Sequence, residues 1–179
     1  MTRVRLELAH LVVLVRELDP MVDFYTRVLG FDVTDRGPSR RAGCEIVFLS
    51  ASPDAHHQLA FVNAREDASA GPLEHQAYRA AGTLDDLRRL VATLRTDGRA
   101  SEITPVSHGN TWSVYFRDPE RNRVEIYLDT PWHVAQPQRE VLDLDLTDAE
   151  IAVWTERTFG SDVTFEPHDE YVRRRTARQ

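Results

Sequence analysis

Cysteine is almost absent: Cys44 is the single one in 179 residues. An internal disulfide is therefore impossible and thiolate metal sites are not expected, so any metal must be held by imidazole and carboxylate. Long apolar runs are missing too. The short apolar stretch Leu11–Val15 is broken by Arg16 and Glu17 and no small-residue cleavage site follows it, which reads as neither a signal peptide nor a membrane span. Together these features lead us to expect a protein of the reducing cytoplasm. Excess positive charge is lacking as well: the net charge of -7 argues against a nucleic-acid partner, which needs many Lys and Arg contacts. The basic end, Arg173, Arg174, Arg175 and Arg178, reads as a solvated terminal helix. What is present is ordinary, with 41% apolar and 28% charged residues, as in a soluble folded domain.

Along the chain, Val4 to Val15 is almost wholly apolar or β-branched and reads as a strand buried on both faces, with His10 in its middle. Asp19 and Pro20 then predict an N-cap and an N1 proline. Met21, Phe24, Tyr25, Val28 and Leu29 recur at helical spacing before Gly30. Shorter strands are expected at Phe31–Thr34, Cys44–Ser50 and His57–Val62. The same order then returns: a strand at Glu74–Ala80 carrying His75, a helix capped by Thr83 with Leu84, Leu87, Val91 and Leu94 on one face, and strands at Ile103–Val106, Thr111–Arg117 and Arg123–Asp129. His10 and His75 are 65 residues apart and the caps Asp19 and Thr83 are 64 apart. That near-constant offset predicts a duplicated module, with copies at about 4–66 and 73–130 joined by a linker at Asp67–Pro72, DASAGP. Residues 131–179 read as a helical C-terminal extension, in which Thr147 and Glu150 form a capping box and a second short helix follows Pro167. It is expected to pack over the sheet or join a partner subunit.

Residues Thr111–Asp129, TWSVYFRDPERNRVEIYLD, are the most informative stretch. Two strands flank the turn Asp118–Asn122; if Arg117 faces Arg123, the constant index sum of antiparallel pairing sets Tyr115 opposite Glu125 on one face. Val114, Phe116, Val124 and Ile126 then form the other, apolar face, against a helix. A carboxylate in mid-strand between Val124 and Ile126 needs a charged partner, an arginine or a metal. Histidines at equivalent positions of the repeat favour the metal. Two neutral imidazoles and one carboxylate, here His10, His75 and Glu125, make the facial triad that holds Fe(II) and leaves positions open for ligands. Mn(II) accepts the same set.

At these residues the sequence resembles the vicinal oxygen chelate superfamily, and within it the small type I extradiol ring-cleavage dioxygenases. The run VSHGNTWSVYFRDPERNRVE is similar to the catechol-cleaving signature, with His108, Val114, Tyr115, Asp118, Pro119 and Glu125 in place and Arg121 departing at the turn tip. HHQLAF, residues 56–61, resembles the strand whose second histidine, here His57, is the active-site acid or base. The tail TPWHVAQPQREVLDLDLTDAEI is similar to tails of small dioxygenase-like members. The resemblance implies an α+β fold in which two paired βαβββ modules, within residues 1–130, form an open cup-shaped mixed sheet, with residues 131–179 as the appendage.

It also implies the metal ligands His10, His75 and Glu125, Fe(II) as cofactor, and catalytic roles for His57, His108 and Tyr115. The expected partners are a catechol-type small molecule, O2 and further copies of the chain. The expected reaction is ring cleavage, with both catechol oxygens on the metal, Tyr115 and His108 hydrogen-bonded to them, and His57 moving a proton. Two alternatives stay open: a glyoxalase- or fosfomycin-resistance-like lyase or transferase, and a non-catalytic binding protein of the same fold.

Overall fold

The computed structural model describes residues 7–40, 43–66 and 73–177. The expected linker at 67–72, strand residues 4–6 and Arg178 lie outside them. The chain divides into two compact units, Met1–Ala70 with Asp118–Arg121, and Gly71–Arg117 with Asn122–Gln179. No helix among the described residues is long and apolar enough to cross a membrane.

The first unit runs β1 (Leu11–Leu14), α1 (Leu18–Arg27), β2 (Asp32–Pro38), β3 (Glu45–Ser50) and β4 (Leu59–Val62), in an open sheet of order β1-β4-β3-β2. β1 and β4 are parallel and the other neighbours antiparallel. Helix α1 buries Leu18 with Met21, Phe24 and Tyr25 of the expected stripe, while Val28 and Leu29 fall past the helix end at Arg27 and are half-buried; Tyr25 meets Phe61 of β4 edge-on at 4.9 Å. The first strand is shorter than expected and is not buried on both faces. Its residues alternate, with Val12 and Leu14 51% and 41% exposed, as an edge strand's do.

The start of α1 differs from expectation. Asp19 is not the cap; it lies in the first turn and its carboxylate pairs with Arg36 of β2 at 2.8 Å. Glu17 is the N-cap residue and makes no side-chain cap bond. Its amide and that of Arg16 donate instead to the buried Glu120 carboxylate, at 2.9 and 2.6 Å, so an acidic group from a distant turn satisfies the orphan donors and meets the positive end of the helix. Arg65 stands 3.7 Å from the same carboxylate and Asp118 accepts the Tyr25 hydroxyl at 3.1 Å. Glu120→Gln should therefore lower unfolding stability by about 2–3 kcal/mol in denaturant titration, because the charge is buried against arginine and backbone donors. A loss below half a kilocalorie would make the contact incidental.

The second unit repeats the topology. β5 (Gln76–Arg79), α2 (Leu84–Asp97), β6 (Ser101–Ser107), β7 (Thr111–Arg117) and β8 (Arg123–Asp129) form a sheet of order β6-β7-β8-β5, with β5 parallel to β8. Helix α2 buries Leu84, Leu87, Val91 and Leu94 against β7 and β8, which supply Val114, Phe116 and Val124. Each such side chain contributes about 1.5–3 kcal/mol of burial. Thr83 and Asp86 make a capping box, and Gly98, with φ 76°, closes the helix in the left-handed conformation that glycine alone adopts without strain.

The extension contributes β9 (Trp132–His133), β10 (Glu140–Val141), α3 (Asp148–Phe159), β11 (Glu166–Pro167) and α4 (His168–Thr176). β10 pairs with β6, and β9 with β11. The expected capping box of Thr147 and Glu150 opens α3, and the expected helix follows Pro167. The extension packs on its own unit: the Trp112 indole donates to Thr155 at 3.0 Å, and Arg88 of α2 donates to the carbonyls of Leu144 and Leu146. Gly109 permits this approach, since a Cβ there would run into Val134 and Phe159. Asp86 and Glu150 are both held below the ordinary carboxylate range by hydrogen bonds from their capping threonines. A carboxylate depressed in the folded state adds stability above its unfolded pKa, near 3.8 for Asp86 and 4.5 for Glu150, and loses it as pH falls through the lower folded value. Thermal melts from pH 6 to pH 3 should show this loss, and Thr147→Ala should lower the melting temperature at neutral pH by about 2–4 °C.

Candidate active site

The β7–β8 hairpin adopts the expected register. Arg117 pairs with Arg123, and Tyr115 lies opposite Glu125. Because the sheet's side chains alternate, phenol and carboxylate emerge on one face while Val114, Phe116 and Val124 fill the other against α2. Both polar residues are buried, at 8% and 7% exposure. A carboxylate so enclosed needs partners, and three surround it. His75 Nε2 is 3.2 Å from Glu125 Oε2, His108 Nε2 is 3.8 Å from Oε1, and the Tyr115 hydroxyl is hydrogen-bonded to the same carboxylate.

His75 stands one residue before β5, not within a strand as expected, because the pairing with β8 begins at Gln76. Its Nδ1 is hydrogen-bonded to Glu74, which in turn pairs with Arg123. Glu74 holds the ring at Nδ1 and turns Nε2 toward Glu125, so that a divalent ion seated between them would meet the Nε2 lone pair. Glu74 is held below the ordinary range chiefly by this bond, so it is ionised in its orienting role. Two donors 3.2 Å apart have the separation of neighbouring ligands on a divalent ion with bonds of about 2.1 Å. The donor types, neutral imidazole and carboxylate, suit Fe(II) or Mn(II). Among the described residues no group of three or more His, Cys, Asp or Glu is gathered into a cage, so His75 and Glu125 stand as a pair.

His108 follows β6, and its orientation comes from the extension. Nδ1 faces the carbonyl oxygen of Gln138, which can only accept, so the ring carries its proton there. Nε2 then presents its lone pair 3.0 Å from the Tyr115 hydroxyl. Burial, and then the negative charge of Glu125, push the Tyr115 phenol well above its ordinary range, so it remains a hydrogen-bond donor throughout neutral pH. The Arg123 guanidinium lies over the Tyr115 ring, 4.7 Å from its centroid.

The remaining expected residues belong to the first unit. His10 directly precedes β1, not mid-strand, and is exposed; its ring lies 4.4 Å from that of His57. His57 lies two residues before β4 in irregular chain, because pairing with β3 starts only at Leu59. It packs edge-on against Phe48 at 4.9 Å, and its Nδ1 is 2.9 Å from that of His56. Burial, followed by the neighbouring His10 and His56, lowers its pKa and keeps it neutral, able to take up a proton. His56 is exposed and paired with Asp35 at 2.9 Å, consistent with a solvated neighbour.

Two residues that orient these imidazoles were not singled out from the sequence. Glu74 had a signal, since an acidic residue beside a candidate ligand is a natural orienting partner. Gln138 had none, because it acts through a backbone carbonyl that any residue would supply.

Comparison with known proteins agrees with this architecture. The chain is 34% identical over 129 residues to biphenyl-2,3-diol 1,2-dioxygenase 3 of Rhodococcus globerulus, covering 68% of this chain and 63% of that protein. It is 32% identical over 127 residues to biphenyl-2,3-diol 1,2-dioxygenase 2 of the same organism, covering 68% and 62%. The chain thus spans less than two thirds of the length of these curated relatives. A glyoxylase/bleomycin resistance protein/dioxygenase domain from a Frankia species superposes with a TM-score of 0.59 at 20% identity, covering 71% of this chain and all of that one. A fosfomycin resistance protein from Listeria monocytogenes superposes with a TM-score of 0.55 at 15% identity, covering 71% and 96%. At such identities the superpositions speak for the fold alone. Residues 7–126 match the family described as Glyoxalase/Bleomycin resistance protein/Dioxygenase superfamily, and the chain belongs to that superfamily, the vicinal oxygen chelate proteins.

Proposed function

We propose that this chain carries out extradiol cleavage of a catechol-type aromatic ring with O2, using Fe(II) held by His10, His75 and Glu125, with Mn(II) as the alternative ion. The observation that carries the reading is the cluster of Glu125, His75, Tyr115 and His108, whose carboxylate and phenol are buried and whose imidazoles are held at Nδ1 by Glu74 and by the Gln138 carbonyl. The dioxygenase names of the similar Rhodococcus proteins support it. When bound, the metal supplies chelation of the two catechol oxygens and a route for electrons from the ring to O2.

The protein residues act around that centre. Tyr115, kept protonated by its surroundings, donates a hydrogen bond to a catechol oxygen. His108 Nε2 offers a lone pair to the substrate hydroxyl and holds its proton, since Nδ1 is committed to the Gln138 carbonyl. Neutral His57 receives and returns a proton as the ring opens. The ring bond beside the diol breaks and each of its carbons gains one atom of O2, so no external reductant is consumed.

The test is anaerobic loading with Fe(II), then addition of air and a panel of catechols that includes 2,3-dihydroxybiphenyl. One O2 consumed per catechol, with a yellow ring-opened semialdehyde product, is the expected result. Inactivity toward every one- and two-ring catechol, with iron bound, would overturn the reading.

A further inference from the structure

Beside the Tyr115–Glu125 pair, in the same unit, a cavity of about 240 Å³ is lined by Glu102, Thr104, Tyr115, Arg117, Arg123 and Arg139. Strand alternation brings the arginines there. Arg117 is two residues from Tyr115 on β7, and Arg123 two residues from Glu125 on β8, so both share the face of the phenol and carboxylate, displaced by about 7 Å along the strands. The neighbouring β6 departs from regular pairing between Ser101 and Thr104, where Glu102 takes a positive φ of 54°, and this irregularity opens the sheet surface.

The charges do not balance. Arg117 donates to Glu102 at 3.0 Å and Arg123 pairs with Glu74, so each of these has a carboxylate. Arg139, exposed and only one residue beyond the Gln138 carbonyl that orients His108, has no ion pair among the described residues. One guanidinium is left without an ion pair among the described residues, at a cavity that Tyr115 also lines. The chain contains no lysine at all, so all 22 basic side chains are arginines, whose planar fork matches a carboxylate in two parallel hydrogen bonds. The displacement along the strands is roughly the span of one substituted ring. A catechol with its hydroxyls at Tyr115 and His108 would carry a substituent on the opposite side of the ring to the arginines.

We propose that this cavity binds a carboxylate borne by the substrate ring, with Arg139 as the specificity-determining residue, which makes the substrate class an acidic catechol. The inference rests on the catechol reading above. It differs from what the names of the Rhodococcus proteins suggest, since a biphenyl diol carries no acid group.

The probes are 3,4-dihydroxybenzoate and 4-methylcatechol, alike in shape and differing in charge. Anaerobic calorimetric titration of the Fe(II)-loaded full chain should give a dissociation constant at least about tenfold lower for the acid, a preference weakened by added salt. Arg139→Gln should bring the ratio close to one, with the change in KM and not in kcat, and Arg139→Lys should recover part of it. Because Arg139 is exposed, far-UV circular dichroism of the variants should match the native protein. Equal affinity for the two probes in the native protein, or an unchanged ratio in Arg139→Gln, would overturn the carboxylate site even if both catechols are oxidised. If the acid binds preferentially and Arg139→Gln abolishes the preference, yet neither these probes nor any catechol of the panel consumes O2, the carboxylate site stands and the dioxygenase reading falls.

Discussion

Glu125→Ala should leave a protein that retains iron more than 100-fold less tightly and consumes O2 with catechol at least about 1,000-fold more slowly. Glu125 provides the single negative charge of the proposed ligand set, and it faces His75 Nε2 at 3.2 Å. A competing view makes it a structural group that binds His75 and Tyr115. The two views separate in Glu125→Gln. An amide keeps the shape and one acceptor, so a structural role would leave metal content near normal, with a modest change in melting temperature. A ligand role removes the charge on which the ion depends, so metal content after desalting should collapse while the fold persists. Metal analysis of both variants, beside circular dichroism, decides between them; an iron-replete, active Glu125→Ala protein would discard the ligand assignment.

His108→Ala should behave in the opposite way, with normal iron content and turnover reduced by about 100- to 10,000-fold, the range for removing a positioned acid–base group. The imidazole is not free to turn. Its Nδ1 is tied to the Gln138 carbonyl, and its Nε2 is 3.0 Å from the Tyr115 hydroxyl. Truncation therefore removes both the proton acceptor and the group that aligns the phenol, while the His75–Glu125 pair keeps its Glu74 support. Tyr115→Phe should cost less, since it deletes one hydrogen bond and leaves His108 oriented. Iron content and O2 uptake measured on the same preparations read out both claims. Iron loss in His108→Ala would turn His108 into a ligand and require a different donor set.

The hairpin shows how much was legible beforehand. A short turn between two strong strands leaves one favourable register, and burial of Val114, Phe116 and Val124 locks it, since a one-residue slip would turn the apolar side chains of the shifted strand out of the core. The pairing of Tyr115 with Glu125 therefore followed from local pattern. So did α2, with its capping box, apolar stripe and glycine terminator all in agreement, and the start of α3 at its own capping box. The histidines were chosen from the repeat and the family resemblance. Their placement just outside the strands was not legible, because strand ends are set by the partner strand's length and not by local propensity.

Periodicity and interactions within a few residues are enough to specify the duplicated βαβββ order, the faces of α2 and of the β7–β8 hairpin, and the residue types able to bind a metal. Long-range packing, by contrast, sets Glu120 at the start of α1 in place of Asp19, a backbone carbonyl of the extension against His108 Nδ1, and Arg139 with Arg117 and Arg123 beside Tyr115. Each of these joins residues tens of positions apart or acts through the main chain. No local spacing encodes such contacts; they arise when packing brings a charge or a carbonyl to a group that burial has left in need of a partner.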